Sequence, residues 1–372
     1  MSKQQKIFIT GGHLTPALAV VDEIIRQKLP WEILFIGRTY ALEGSSDTSK
    51  EYEEIQKRHI LFLPLVAGRI SRVFTFWSLV SWVKIPFGFL QAFWYVVLYR
   101  PDFILTFGGY IAFPLALAGW ICHIPIITHE QTMRMGLANK MISIMAKKVL
   151  VSFEQTIPNN HISKYVMTGL PIRHELFSPP SDPSFSISDK TPVLYITGGS
   201  TGAVTLNELL FPLIEKLITR YIVIHQTGVS SFHTAEQLKI TIPKPGQNRY
   251  IISPHFGVSD VAWIYKHADM VIGRSGANTV CEMAAFGKIA LLVPLPWSAN
   301  GEQLENANWL ARDGGAYVVM QKDANSVSIY NALTSLWSNR KTLGVKAHTL
   351  SIKYSADGAA KIVDVLAHNV LS

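Results

Sequence analysis

Short apolar runs that break at a glycine and give way to helix-patterned stretches recur along this chain, and that recurrence restricts its fold more than any other feature. Residues 6–10 read as a strand ending at Gly11, Gly12 and His13; residues 16–27 then carry helical spacing, with Pro16 in a first turn where its missing N–H costs nothing. Residues 32–37 form a second strand, so the chain opens with a βαβ unit. Residues 45–58 read as loop plus surface helix, residues 110–120 as a helix, and residues 60–65, 101–106, 125–128, 147–152 and 165–168 as further strands. A Pro/Ser-rich shift at 178–190, SPPSDPSFSISDK, marks a loop just inside a second domain. There the rhythm restarts: strand 193–196, loop GGSTG, helix 203–217, strands 221–225 and 249–253, helix 259–267. Two such series in 372 residues predict an α/β chain of two doubly wound domains facing across a cleft. Ligands in such sheets sit at the carboxyl ends of the strands, where the glycine turns lie.

One junction carries more chemistry than the others. Residues 271–288, VIGRSGANTVCEMAAFGK, run from a strand through a small-residue loop into a helix. A helix N-terminus offers unpaired N–H groups and roughly half a positive charge, which together attract phosphate. Glu282 lies one turn further on, where a carboxylate accepts hydrogen bonds from the vicinal hydroxyls of a ribose. The alternative is an ordinary strand-to-helix turn, and this stretch alone does not choose.

Composition limits the partners. Hydrophobic residues make up 48% and charged residues 16%, so the chain is globular, and its net charge of +8 suits nucleic acid, an anionic membrane surface or a phosphorylated substrate. The cations form no long runs and no nucleic-acid-binding signature is present, which counts against nucleic acid. Cys122 and Cys281 stand in apolar contexts without ligand spacing and read as buried free thiols of a reducing compartment. The N-terminal run breaks at Gly11 and reads as a strand, not a signal peptide. No metal-ligand cluster, Walker motif or nucleophile elbow occurs.

Residues 73–99 are the greasiest stretch, interrupted by Lys84, Pro86, Gly88 and Gln91. A membrane span is disfavoured: Lys84 would sit mid-membrane at a cost of roughly 2.5–3.5 kcal/mol, and Pro86 with Gly88 splits the run into two shorter helices. The preferred reading is a helical pair in the membrane surface, with Trp77, Trp82, Phe87, Phe93 and Trp94 dipping in and Arg69, Arg72, Lys84 and Arg100 meeting lipid phosphates. A buried core helix is the alternative.

Each glycine turn is weak alone, but their order is not. GGHLTPALA, ILTFGGYIAFP, HEQTMRMGLANK, TGLPIR, GGSTGAVTLNE, IHQTG, GRSGANTVCE and VPLPWSANGEQLENA follow one another along most of the chain. In this the chain resembles the MurG-like transferases of glycosyltransferase family 28. The resemblance implies the two-domain GT-B fold, with an acceptor and membrane-associating domain over 1–164, a UDP-sugar domain over 165–350, and a segment 351–372 whose helix returns to the first domain. It implies transfer of N-acetylglucosamine from UDP-N-acetylglucosamine to lipid I, a polyprenyl-diphosphate-linked muramyl acceptor, to give lipid II for peptidoglycan. Inversion at the anomeric carbon, no cofactor or essential metal, and a peripheral place on the cytoplasmic membrane face are implied with it.

Carried over by position, Arg173 matches an arginine near the nucleotide, Ser200 a donor-phosphate contact and Phe256 the segment that packs the uracil. Ala277, Asn278 and Thr279 match the helix N-terminus at the diphosphate, Glu282 the ribose carboxylate and Gln303 the sugar-binding glutamine; Asn306 is the next polar group on that helix. On the acceptor side, Thr10, Gly11 and Gly12 match the diphosphate loop, and Tyr110 and Glu130 line the same cleft. An inverting transfer needs a base for the acceptor hydroxyl. His13, with an imidazole pKa ordinarily near 6.5, is the first candidate, Glu130 the competitor, and a purely loop-ordering His13 the alternative.

The chain also departs from the family. Its strand runs straight into TGGH where the family reads GGGTGGH, which shortens the acceptor loop; Thr132 replaces an asparagine after HEQ, Thr201 replaces the glutamine of GGSQG, and Glu302 precedes Gln303. A different lipid acceptor, or a non-catalytic nucleotide-sugar-binding scaffold, are the alternatives those departures open.

Overall fold

The structure, a computed structural model, describes residues 4–40, 47–66, 68, 76–160, 162–178, 182–187, 190–199, 203–298, 301–354 and 357–370, without the side chains of 76–84, 369 and 370. It divides into two compact units, residues 1–173 with 357–372, and residues 174–356.

The first unit is built on a parallel sheet of β1 (Gln5–Thr10), β2 (Trp31–Gly37), β3 (Leu61–Pro64), β4 (Phe103–Thr106), β5 (Ile126–Glu130), β6 (Lys148–Val151) and β7 (Tyr165–Met167). Its order is β3-β2-β1-β4-β5-β6-β7, so the winding reverses between β1 and β4. The central strands are buried on both faces, which is why their sequences are continuous apolar runs rather than alternating ones. Helices α1 (Leu14–Arg26), α2 (Lys50–Lys57), α3 (Phe76–Tyr99), α4 (Gly109–Ile121) and α5 (Leu137–Met145) cover the two faces. On α1, Ala17, Leu18, Val20, Val21 and Ile24 form the buried stripe that drives its docking on Ile7, Ile9 and Phe103. On the other face, Ala92 and Val96 of α3 and Ile111, Leu115 and Ala118 of α4 pack against Phe8, Leu34 and Ile104.

The second unit repeats the plan. Strands β8 (Val193–Thr197), β9 (Ile222–Gln226), β10 (Tyr250–Ser253), β11 (Met270–Gly273), β12 (Ile289–Leu292) and β13 (Ala316–Val318) form a parallel sheet in the order β10-β9-β8-β11-β12-β13. The winding reverses between β8 and β11. Around it lie α6 (Val204–Leu210), α7 (Ile214–Leu217), α8 (Val229–Thr241), α9 (Lys244–Gln247), α10 (Val258–His267), α11 (Ala277–Ala285), α12 (Glu302–Asp313), α13 (Ser326–Ser338) and α14 (Arg340–Lys353). The last helix, α15 (Gly358–Val370), belongs to the first unit, where Ala359, Ile362, Val363 and Leu366 join the core beside α1.

Four details differ from the sequence reading. Residues 165–167 do not open the second unit: β7 pairs in register with β6 as the edge of the first sheet, and the division falls after Arg173. The helix expected over 203–217 is interrupted by a 3-10 turn, Phe211–Leu213, because Pro212 has no N–H to continue the α ladder. Conversely, Pro86 and Gly88 do not split the greasy segment, which is one 24-residue helix. Proline in a helix interior costs about 3 kcal/mol; burial of Ala92, Val96 and the half-buried Phe89, Phe93 and Tyr99 behind it offsets that. Cys281 is buried as expected, whereas Cys122 is only half-buried.

Among the described residues, the face of α3 turned away from the sheet is uncovered. Phe87, Leu90, Trp94, Val97 and Leu98 recur at helical spacing and are exposed, Phe87, Leu90 and Trp94 each 62%. Phe93 points to the core side instead. Trp77, Trp82 and Lys84 lie on the same helix, but their side chains are outside the described residues, as are Arg69 and Arg72 altogether. No helix among the described residues is long and apolar enough to cross a membrane.

Candidate functional site

In the first unit three loops meet beyond the carboxyl ends of β1, β4 and β5. The β1 loop is Gly11, Gly12 and His13; the β4 loop is Phe107, Gly108 and Gly109. They touch backbone to backbone: a Cβ on Gly12 would lie 1.7 Å from the Gly108 carbonyl oxygen, and one on Gly109 2.8 Å from Gly12 Cα. Gly108, at φ 72° and ψ −159°, occupies a region open essentially to glycine alone. Both loops run into helices, α1 and α4, whose first turns receive no side-chain cap. Their free N–H groups make this switch point the anion-attracting part of the unit. Thr10 is fully buried at the end of β1, its hydroxyl unpartnered among the described residues. Tyr110 sits on the first turn of α4, its ring 5.6 Å from the Arg38 guanidinium at the end of β2.

His13 is the N-cap residue of α1, yet its side chain does not cap. Its Nδ1 lies 2.8 Å from Gln131 Nε2 instead. Burial pushes its pKa below the ordinary imidazole value, with the Glu130 charge pulling the other way. A neutral ring near pH 7 follows, the state a base requires.

Glu130, the competing candidate, is committed elsewhere. It is 2% exposed, and Oε1 accepts from Thr132 N–H at 2.9 Å and the Thr132 hydroxyl at 2.6 Å. Its Oε2 accepts from Gly136 N–H at 3.0 Å and Asn139 Nδ2 at 2.9 Å. A carboxylate has about four lone-pair sites, and all four are used. This carboxylate folds the HEQTMRMG loop around itself and fixes Gln131. Thr132, the residue that departs from the family pattern, supplies two of the four donors.

In the second unit the corresponding place lies beyond β8 and β11. Gly276 precedes α11 without a side-chain cap, so the N–H groups of Ala277, Asn278 and Thr279 stand at an open helix start. A Cβ on Gly199, in the β8 loop, would be 3.5 Å from Thr279 Oγ1, so the two loops are close neighbours. Ser200 itself is outside the described residues. The α11 loop is tied to α12 twice: the Ser275 hydroxyl donates to the Gln303 carbonyl at 2.7 Å, and Asn306 Nδ2 donates to the Ser275 carbonyl at 3.0 Å. Asn306 is fully buried and therefore supports the loop. Gln303 receives Leu295 N–H on Oε1 at 3.0 Å, which leaves its amide hydrogens uncommitted among the described residues. Glu282, half-buried one turn into α11, holds an interaction with the buried Tyr265. Phe256 is half-buried at the end of the β10 loop, in edge contact with Phe185 at 5.7 Å. Arg173 is the last residue of the first unit.

Two residues inside recognised motifs were not singled out from sequence. Gln131 holds His13, and Gln226 of IHQTG bridges the loops by donating to the Gly199 carbonyl at 3.3 Å and accepting Phe256 N–H at 3.2 Å. Their only signal was position beside a glycine turn or a candidate base. Among the described residues no group of three or more His, Cys, Asp or Glu is placed to hold a metal ion.

Two parallel α/β units, each wound outward in both directions from its switch point, make up the GT-B fold. Comparison with known proteins narrows this. Residues 10–151 match the glycosyltransferase family 28 N-terminal domain and residues 193–362 its C-terminal domain. The chain belongs to glycosyltransferase family 28. It is 33% identical over 324 residues to the UDP-N-acetylglucosamine–N-acetylmuramyl-(pentapeptide) pyrophosphoryl-undecaprenol N-acetylglucosamine transferase of Treponema denticola, covering 84% of this chain and 82% of that one. The Histophilus somni transferase of the same name is 31% identical, with 98% of each chain covered. The crystal structure of Acinetobacter baumannii MurG superposes with a TM-score of 0.73 at 26% identity, covering 98% of this chain and 99% of that one.

Proposed function

We propose that this chain transfers N-acetylglucosamine from UDP-N-acetylglucosamine to the muramyl sugar of lipid I with inversion, giving lipid II. The observation that carries the reading is His13: a half-buried, neutral-favouring imidazole at an uncapped helix start, held by an amide. The acceptor hydroxyl oxygen forms the new bond to the anomeric carbon while its proton passes to His13, and the bond to UDP breaks with its electron pair leaving on the diphosphate. N–H groups at the start of α11 receive that charge, Glu282 holds the ribose, Gln303 the sugar hydroxyls, Phe256 and Arg173 the base end, and Ser200 a phosphate. Thr10, Gly11, Gly12 and Tyr110 form the acceptor side. Glu130 is a positioning residue, because its four hydrogen bonds leave it no lone pair for a proton.

The exposed α3 stripe, ending at the exposed Arg100, supports a peripheral place on an anionic membrane, at the cytoplasmic face where a UDP-sugar is available. The full chain in mixed micelles is given UDP-N-acetylglucosamine and lipid I. UDP release that needs both substrates, with lipid II as product, is expected. Donor binding without UDP release for any lipid-linked acceptor would sink the reading.

A further inference from the structure

Three observations meet on Gln131. Its Nε2 is 2.8 Å from His13 Nδ1. Its Oε1 is buried and has no hydrogen-bond partner among the described residues. The residues on its C-terminal and N-terminal sides are locked, Thr132 as donor and Glu130 as acceptor of the same two hydrogen bonds. The imidazole is therefore held by a side chain that projects from a fixed stretch of loop.

The type of that side chain matters. A carboxylate beside Nδ1 only accepts, and it favours the imidazolium. An amide serves either neutral tautomer. Donating from Nε2, it faces a bare Nδ1 and the ring proton sits on His13 Nε2. Turned by half a revolution, it accepts Nδ1–H on Oε1 and leaves His13 Nε2 bare. In the orientation described Oε1 has no partner among the described residues to hold the amide against turning, so the ring's task selects between the two.

We infer that Gln131 is the positioning residue for His13: it pins the ring through Nδ1 and, by receiving Nδ1–H on Oε1, holds the tautomer whose bare Nε2 takes the acceptor proton. In the transfer the acceptor O–H bond breaks, its proton goes to Nε2, and the imidazolium keeps the Nδ1–H bond to Gln131. The ring also faces the charge of Glu130 and the buried His129, and neither is bonded to it among the described contacts. This inference rests on the transferase reading for the turned amide and the tautomer it holds; the contact between Gln131 and His13 stands on the geometry alone.

The test uses the full chain with ¹⁵N-labelled histidine, following the His13 ring by long-range ¹H–¹⁵N NMR, and compares Gln131→Glu and Gln131→Met with the parent. Gln131→Glu is expected to raise the His13 midpoint by about one pH unit or more. The acidic limb of kcat/KM should move up with it while the donor KM stays within about twofold. Gln131→Met, which fills the space without a hydrogen bond, should lower kcat about 10- to 100-fold and mix the ring tautomers. His13 midpoints and ¹⁵N shifts unchanged in both folded variants overturn the inference. A midpoint that moves while the acidic limb stays put refutes His13 as the base, and with it the proposed reaction step, while upholding the Gln131 bond.

Discussion

Glu130 separates the two roles a buried carboxylate can play, and Glu130→Gln tests which one it has. The change swaps one oxygen for an NH₂ group, setting a donor against donors. On the Oε2 side it would oppose Gly136 N–H and an Asn139 amide whose other contacts, to the His129 carbonyl and Thr128 hydroxyl, forbid it to turn. The variant therefore directs its NH₂ toward Thr132, whose hydroxyl reorients to accept while the Thr132 N–H loses its partner. One charge-assisted hydrogen bond and the charge on the rest are lost, about 2–4 kcal/mol. For a unit of this size that is a Tm decrease of roughly 5–10 °C. Hydrogen exchange should rise in the segment 130–140, whose Thr132 and Gly136 amides Glu130 holds. Turnover should fall only as far as Gln131 and His13 are disturbed, with kcat down about 10- to 100-fold. Differential scanning calorimetry, exchange mass spectrometry and steady-state kinetics on one preparation suffice. A variant with the parent's Tm and exchange pattern, but kcat down by about a thousandfold or more, would make Glu130 the base and refute the reasoning.

Three further outcomes follow from the structure. Gly12→Ala places a methyl group 1.7 Å from the Gly108 carbonyl oxygen, so the β1 and β4 loops must separate; stability should fall by about 1–3 kcal/mol and acceptor turnover should collapse while UDP affinity, measured by calorimetry, is retained. Burial lowers the pKa of His129 to about 4 and of His225 to about 3, both below an unfolded value near 6.5, so the unfolded chain binds protons first. Stability is then fully present above pH ~6.5 and drops by about 1.4 kcal/mol per pH unit for each histidine as pH falls toward those folded values. Urea unfolding at pH 7, 6 and 5 should give that slope in each unit, one histidine lying in each, and a flat profile contradicts it. Finally, Phe87→Ser with Trp94→Ser removes two rings that are each 62% exposed; binding to vesicles containing phosphatidylglycerol should weaken about tenfold or more without loss of Tm, and unchanged flotation would remove α3 from the membrane proposal.

How much of this was legible from sequence depends on which atoms carry each feature. The strands at both switch points were plain because a parallel strand buried on two faces must be a continuous apolar run, as Ile7–Ile9 and Val271–Ile272 are. The helix starts were plain because close backbone approach demands glycine, as between Gly12 and Gly108. The partners of side chains were not plain. Gln131 reaches His13 across 118 residues of chain, and two of the four donors to Glu130 are backbone N–H groups, which leave no residue-type signature. The greasy segment was ambiguous for another reason: α3 is core on one face and exposed on the other, so a reading of its average hydropathy could not separate the two faces.

That contrast bears on how such a chain diverges. The proposed phosphate-binding part of the second unit consists mainly of backbone N–H groups at α11, braced by Ser275 and by Asn306, and side-chain change there has few positions to act on. The proposed proton-transfer part of the first unit hangs on three side chains in series, Glu130 fixing the loop, Gln131 holding the ring and His13 facing the acceptor. Thr132 replaces the asparagine of the family pattern and still supplies two hydrogen bonds to Glu130, from its N–H, which any residue but proline provides, and from its hydroxyl. The substitution therefore preserves the series, and the departure from pattern lies in a residue that keeps its job. A change at Gln131 would not be absorbed in this way, because among the standard side chains only Asn and Gln carry a neutral amide with both donor and acceptor, and only Gln has the reach used here.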